Sequence, residues 1–111
     1  MIPNKTVFIT GASRGIGRAI AIRFAAAGYQ LALCCRQNTQ LLEDLQQLII
    51  SQYHTDCLIF TGDTGDYHQL EAMISETIAR FHHIDVLVNN AGISHIGLLQ
   101  DMTPMQWDDI I

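Results

Sequence analysis

Apolar residues along this chain follow two alternating spacings, one typical of buried strands and one typical of helices. Short, mainly apolar runs at 7–10, 31–35, 57–61 and 84–90 indicate strands of a sheet that is covered on both faces. Between them, the positions that recur at helical spacing are Ile16, Ile20 and Phe24, then Leu41, Leu42, Leu45, Leu48 and Ile49, then Leu70, Met73, Ile74, Thr77, Ile78 and Phe81. Strands that alternate with helices predict a doubly wound parallel sheet of the α/β class.

The end of the chain suggests that this domain is incomplete. No repeat or linker interrupts the pattern, so residues 1–111 are expected to form one domain. Thr103 and Pro104 suit the start of a helix, but no C-cap signal follows before Ile111. We therefore expect a sheet truncated after its fourth strand and the start of the next helix. Strand 84–90 would then be a raw edge, with low stability or aggregation unless a partner covers it.

Composition narrows the class of protein. Only 15% of the 111 residues are charged and the net charge is -5, so a disordered chain or a nucleic-acid-binding surface is not indicated. The start of the chain lacks a signal design and no long apolar span follows, so a cytoplasmic protein without a membrane segment is expected. Three cysteines fit buried, reduced thiols. The five histidines have no ligand spacing that predicts a metal site.

The most specific local signal is the glycine pattern at residues 10–17, Thr-Gly-Ala-Ser-Arg-Gly-Ile-Gly. Gly11 permits a tight turn, Gly15 leaves room for a pyrophosphate, and Gly17 lets the helix pack close to the sheet. Backbone N–H groups and the helix dipole would attract phosphates at this point. The alternative is a glycine-rich turn that binds no ligand, but the strand before it and the helix after it favour a nucleotide site.

Together with Gly62-Asp63-Thr64 and Asn89-Asn90-Ala91-Gly92, this pattern resembles the short-chain dehydrogenase/reductase family, close to 3-oxoacyl-[acyl-carrier-protein] reductases. The resemblance runs from about Lys5 to Ile111 and implies a Rossmann-like NAD(P)-binding domain. It assigns cofactor contacts along the diphosphate, adenine and nicotinamide ribose to Gly11, Ala12, Ser13, Arg14, Gly15, Ile16, Asp63, Thr64, Asn90, Ala91 and Gly92. The alternative for Asp63 is an N-cap or turn residue before the helix that starts near Asp66, and both roles can hold at once. Asn90 could satisfy backbone groups as well as face the cofactor.

The end of the second strand bears on the choice between NADP(H) and NAD(H). An acid at that position would accept hydrogen bonds from the ribose 2'-hydroxyl of NAD and repel a 2'-phosphate. Here the position is Cys35, followed by Arg36, and Arg14 would lie on the other side of the ribose. Guanidinium groups suit a phosphate, so NADP(H) is favoured over NAD(H), although a lone exposed arginine often serves only solubility.

The residues that would carry out the reaction are not found in this sequence. The resemblance implies a carbonyl/alcohol oxidoreductase, in its intact form a homo-oligomer (dimer or tetramer), with a Tyr-x-x-x-Lys pair as acid and base. Lys5 is the only lysine, so no such pair occurs, and we predict no catalytic residues and no activity for this chain alone. Two functions remain open: the cofactor-binding half of an NADP(H)-dependent reductase, or a non-catalytic nucleotide-binding or interaction module completed by a partner.

Overall fold

The computed structural model describes residues 4–90 and contains four strands and three helices. The strands are β1 (Thr6–Thr10), β2 (Gln30–Cys35), β3 (Cys57–Thr61) and β4 (Val86–Asn89). The helices are α1 (Gly15–Ala26), α2 (Thr39–Tyr53) and α3 (Tyr67–Phe81). The strands lie in the order β3-β2-β1-β4 and every pairing is parallel, which confirms the doubly wound α/β class.

The sheet has a layer of helices on each face. Alternate residues of β1 point to opposite sides, since Val7 and Ile9 join the core with α1 and α2 while Phe8 joins the core with α3. Cys34 and Cys35 divide in the same way, and all three cysteines are buried free thiols, as expected. Burial on both faces explains why the strands read as apolar runs instead of alternating patterns.

Helix α1 occupies the predicted segment, and two of the three apolar residues that predicted it, Ile20 and Phe24, are half-buried against the core. Gly17, Ala21 and Ala25 are its buried residues, whereas the Ile16 side chain is 72% exposed. Small residues at this spacing let the helix approach the strands closely, and a Cβ atom at Gly17 would overlap the Gly11 carbonyl. The periodicity of the large apolar residues therefore predicted the helix correctly, but Ile16 is exposed and the closest contacts are made by small residues.

The fourth strand is shorter than the sequence pattern predicted. It covers Val86–Asn89. Asp85, just before it, makes two hydrogen bonds with Thr6. The Thr6 N–H donates to Asp85 Oδ2 at 2.8 Å, and the Asp85 N–H donates to the Thr6 carbonyl at 2.9 Å. Within residues 4–90, β4 pairs with β1 alone and is an edge strand, as expected. The helix predicted from Thr103 lies outside the described residues.

Candidate nucleotide-binding site

An open cleft of about 530 Å³ lies at the carboxyl end of the sheet, where parallel α/β sheets place their ligands. Thr10, Cys34 and Asn89 are aligned across β1, β2 and β4, so the loops after these strands begin at one level. The cleft is lined by Gly11, Ser13, Arg14, Cys34, Cys35, Arg36, Gln37, Asn38, Gly62, Asp63, Thr64 and Asn90. Seven of the predicted contact residues are therefore brought together at one surface.

The glycine turn has the backbone shape that its sequence requires. Gly11 and Gly15 have φ angles of 64° and 63°, in the left-handed region that glycine adopts without strain. Nothing lies within 4 Å of where a Cβ atom at Gly15 would be, so the approach to the start of α1 is open. This open approach is the space that a phosphate group would need.

The first turn of α1 offers backbone N–H groups without a competing anion. Arg14 is the N-cap residue and its side chain makes no capping hydrogen bond, and the first turn contains no acidic residue. Unsatisfied N–H groups and the positive end of the helix dipole favour an anion at such a position. The arginine at the N-cap adds a positive charge on the same side of the cleft.

Three of the predicted contacts lie beside the cleft instead of lining it. Ala12 is fully buried and its N–H donates to the Cys34 carbonyl at 3.1 Å, so this N–H is already occupied. Gly15 and Ile16 begin α1 and are exposed. Their contribution would come from the backbone at the start of the helix, whereas Ala91 and Gly92 lie outside the described residues.

Two asparagines connect the end of β4 to the glycine turn. The Thr10 hydroxyl donates to Asn89 Oδ1 at 3.0 Å and accepts from the Asn90 N–H at 2.9 Å, and Asn90 Nδ2 donates to the Gly11 carbonyl at 3.2 Å. Asn90 thus has the structural role that the sequence left open, and it also lines the cleft. The Nδ2 atom of Asn89 is buried and has no hydrogen-bond partner among residues 4–90.

Asp63 lies in the turn between β3 and α3 and does not cap the helix. Its Oδ1 atom accepts from the Gly65 N–H at 2.8 Å, so the turn alternative is correct and the N-cap alternative is wrong. The N-cap residue is Asp66, which accepts from the N–H groups of His68 and Gln69. The bond from the Gln69 backbone, followed by weaker contributions from the Gln69 side chain and His68, holds the pKa of Asp66 below its ordinary value of 3.8 against a smaller desolvation effect.

Charges of opposite sign face each other across the outer part of the cleft. Arg36 Nη2 lies 3.9 Å from Asp63 Oδ2, and the two side chains are 75% and 40% exposed. A pair this exposed contributes little to stability, so the guanidinium remains available to another anion. No carboxylate stands at the end of β2, where Cys35 is buried and Arg36 follows.

The structure adds cleft residues that the sequence reasoning did not assign. Gln37 and Asn38 lead into α2, and Asn38 is an N-cap residue whose side chain makes no capping bond. Cys34 and Gly62 also line the cleft. Burial raises the pKa of Cys34 to about 12, the charge of Cys35 adds to this rise, and a Gly11 backbone hydrogen bond opposes it, so Cys34 is a neutral lining group. Gln37 and Asn38 follow β2 and Gly62 follows β3, and these positions after strand ends were the signal available in the sequence.

The sequence profile of the family described as short chain dehydrogenase matches residues 5–111. The chain belongs to the short-chain dehydrogenase/reductase family. It is 38% identical to the 3-oxoacyl-[acyl-carrier-protein] reductase FabG of Staphylococcus aureus strain Mu50 over 108 residues, covering 97% of this chain and 44% of that protein. It is 41% identical to dehydrogenase/reductase SDR family member 7B of Bos taurus, covering 93% and 33% of the two chains. The chain thus spans less than half the length of these relatives.

A solved reductase has a similar arrangement of strands and helices. The L-sorbose reductase of Gluconobacter frateurii, solved with NADPH and L-sorbose, superposes with a TM-score of 0.76 at 33% identity. The match covers 83% of this chain and 35% of the reductase.

In the part of the chain that the structure describes, no helix is long and apolar enough to cross a membrane. The same part contains no group of metal-ligating side chains.

Proposed function

We propose that the cleft binds NADP(H) and that the chain supplies the cofactor-binding part of a short-chain dehydrogenase/reductase. One observation carries this proposal: the uncapped start of α1, with open space at Gly15, lies beside a cleft that is lined by Arg14 and Arg36. A dinucleotide with three phosphate groups matches this distribution of N–H groups and positive charge. The L-sorbose reductase bound to NADPH supports the choice of ligand.

Each part of the cleft has a distinct role in this proposal. The N–H groups at the start of α1 and the turn residues Gly11 to Ile16 bind the diphosphate. Arg14 and Arg36 bind the 2'-phosphate, since β2 ends without a carboxylate that would repel it. Asp63 accepts a hydrogen bond from the adenine amino group, with Thr64 beside it. Asn90, with Ala91 and Gly92 after it, borders the nicotinamide ribose.

The bound nicotinamide supplies hydride transfer to or from a carbonyl carbon. The described residues bind and orient the cofactor, and the acid/base pair is not among the residues of this sequence. For the intact protein we propose a ketone or secondary alcohol as substrate, with a 3-oxoacyl thioester as one candidate on the basis of the FabG relative. We further propose a cytoplasmic homo-oligomer, a dimer or a tetramer, that contacts neither nucleic acid nor membrane.

Titration of the 111-residue chain with NADPH and with NADH, followed by nucleotide fluorescence, tests the cofactor. We expect NADPH to bind more tightly, and we expect Arg36→Leu to remove most of this preference because a charge-assisted phosphate contact is lost, about tenfold or more. Arg23→Leu, at the far end of α1, is the matched control. Equal affinity of the parent chain for the two nucleotides would contradict the assignment of the 2'-phosphate site.

The second candidate is a nucleotide-binding module without catalysis, completed by a partner. The specific observation in its favour is that none of Tyr29, Tyr53 and Tyr67 is followed by lysine four residues later. Carbonyl-dependent oxidation of NADPH distinguishes the two. Binding without turnover by the 111-residue chain, together with turnover by a longer chain that contains it, would support the reductase.

A further inference from the structure

One side chain of α3 is bonded to both ends of the loop that presents Asp63. Gln69 Oε1 accepts a hydrogen bond from the Asp63 N–H at 2.8 Å. Gln69 Nε2 donates to Asp66 Oδ2 at 3.3 Å, while Asp66 Oδ1 accepts from the Gln69 N–H at 3.3 Å. The loop from residue 62 to residue 66 is therefore joined at two points to the first turn of the helix.

The orientation of the Gln69 amide is fixed by its partners. The Asp63 N–H can only donate, so it requires the amide oxygen, and the Asp66 carboxylate can only accept, so it requires the amide nitrogen. A glutamate could not donate to Asp66, and an aliphatic side chain could make neither bond. A neutral group that both donates and accepts is what this position needs between the Asp63 N–H and the Asp66 carboxylate.

These bonds bear on the position of the Asp63 carboxylate. The Gly65 N–H occupies Oδ1 at 2.8 Å, so Oδ2 is the oxygen that remains toward the cleft, 3.9 Å from Arg36. With the Asp63 N–H held by Gln69, both the backbone and the carboxylate of this residue have defined positions. A hydrogen-bond acceptor in such a position is oriented before a ligand arrives, which saves the cost of ordering the loop on binding.

Gly62 brings the loop close enough for these bonds to form. A Cβ atom at this residue would lie 2.9 Å from Gln69 Oε1 and 2.5 Å from Met73 Cε. Both distances are below ordinary contact, so a larger residue would displace the Gln69 side chain. The close approach of backbone to α3 is a second feature, independent of the hydrogen bonds, that places Gln69 against the loop.

We propose that Gln69 is a positioning residue of the nucleotide cleft, which fixes the loop so that Asp63 Oδ2 faces the adenine side. This inference rests on the proposed NADP(H) function. Gln69 does not line the cleft and touches no part of the nucleotide in this proposal; it acts through Asp63.

The test compares Gln69→Leu with Gln40→Leu. Gln40 is the matched control because it also donates from an exposed position on a helix to an aspartate, Asp44, at 2.9 Å and does not line the cleft. We expect Gln69→Leu to raise the Kd for NADPH about fivefold to tenfold, the size of one misplaced hydrogen bond, and Gln40→Leu to leave it within about twofold. Unchanged affinity in Gln69→Leu would overturn the proposal.

A double-mutant cycle with Asp63→Ala separates positioning from a general loss of structure. If Gln69 acts through the Asp63 carboxylate, Gln69→Leu has little further effect on the Kd once that carboxylate is removed. Additive losses would overturn the proposal, because they would mean that Gln69 affects binding by another route. Unfolding midpoints measured in parallel show whether the change in Kd simply follows a change in stability.

Amide hydrogen exchange without nucleotide separates this inference from the proposed function. Gln69→Leu should speed exchange of the Asp63 N–H, while Gln40→Leu should not. Unchanged protection at Asp63 would overturn the inference even if NADPH binds the parent chain. A parent chain that binds no NADPH would refute the proposed function and with it the role of Gln69 in binding, whatever the exchange rate of the loop.

Discussion

Replacing Gly17 with alanine tests how closely α1 must approach the glycine turn. A Cβ atom at this position would overlap the Gly11 carbonyl oxygen and lie 2.9 Å from the Gly11 carbonyl carbon and 2.8 Å from Asn90 Nδ2. The backbone of Gly11 cannot easily move away, since its φ angle of 64° defines the turn and its oxygen accepts a bond from Asn90. The helix would have to move outward instead.

The size of the effect follows from two opposing contributions. Forcing extra volume into a packed site costs about 1–3 kcal/mol, and contact with backbone suggests the upper end of that range. Alanine regains at most about 1 kcal/mol of helix propensity over glycine. The net loss is about 2 kcal/mol in the free energy of unfolding, which corresponds to a Tm lower by roughly 8 °C for a domain of this size.

Two other glycine variants make the Gly17→Ala result specific. Gly15→Ala has open space but a φ angle of 63°, so it should cost about 1 kcal/mol of stability and should block a phosphate at the start of α1. Gly28→Ala, with a φ angle of 88° and open space far from the cleft, should cost a similar amount and leave NADPH affinity unchanged. Thermal unfolding and NADPH titration measure both quantities. A Tm for Gly17→Ala equal to or above that of the parent would refute the reasoning.

Three further predictions concern protonation and helix ends. The pKa of Asp66 is lowered in the folded chain, so its carboxylate stabilises the fold above pH 3.8 and loses this effect as pH falls through the lowered pKa. Asp66→Asn should therefore make the urea midpoint of unfolding depend less on pH on the acid side. Burial raises the pKa of Cys34 and of Cys57 from 9.0 to about 12. The stability that these neutral thiols contribute is fully present below pH 9 and is lost as pH rises toward 12, because the unfolded chain releases their protons first. Cys34→Ala should therefore reduce the fall in urea midpoint above about pH 9, and an unchanged slope would contradict the burial of that thiol. His82 ends α3 with a φ angle of 76°, which glycine adopts without strain. Replacing it with glycine should raise the free energy of unfolding, measured with urea, by about 0.5–1 kcal/mol. A lower free energy of unfolding would count against the left-handed cap.

Periodicity predicted the order and type of the elements because burial on both faces of the sheet leaves a clear apolar pattern. In α1 it predicted the half-buried Ile20 and Phe24 but not the buried stripe of Gly17, Ala21 and Ala25, because small residues carry little hydrophobic signal even though they permit the closest packing. Gly17 was assigned correctly to close helix packing from the glycine motif, whereas Ile16 belongs to the exposed side. Local spacing thus predicted the element, and the size of the residues decided the contact.

The cleft was predictable to the extent that it depends on strand ends. Arg36 and Asn90 directly follow β2 and β4, Asp63 follows β3 after one glycine, and a parallel sheet brings such positions to one edge. The division of roles between Asp63 and Asp66 was not predictable, because both residues precede α3 within one turn and either could have capped it. The role of Gln69 depends on the fold of the loop back onto the helix, which no spacing in the sequence encodes.

The bonds around Thr10 explain why the fold and the cleft of this chain cannot be separated. One hydroxyl bonds to both Asn89 and Asn90, and Asn90 in turn bonds to the Gly11 carbonyl, so the end of β4 sets the position of the turn that would hold the diphosphate. Loss of the β1–β4 pairing would release this turn before it disturbed α2 or β3. Whatever covers the outer edge of β4 should therefore raise nucleotide affinity as well as stability, since the same bonds serve both.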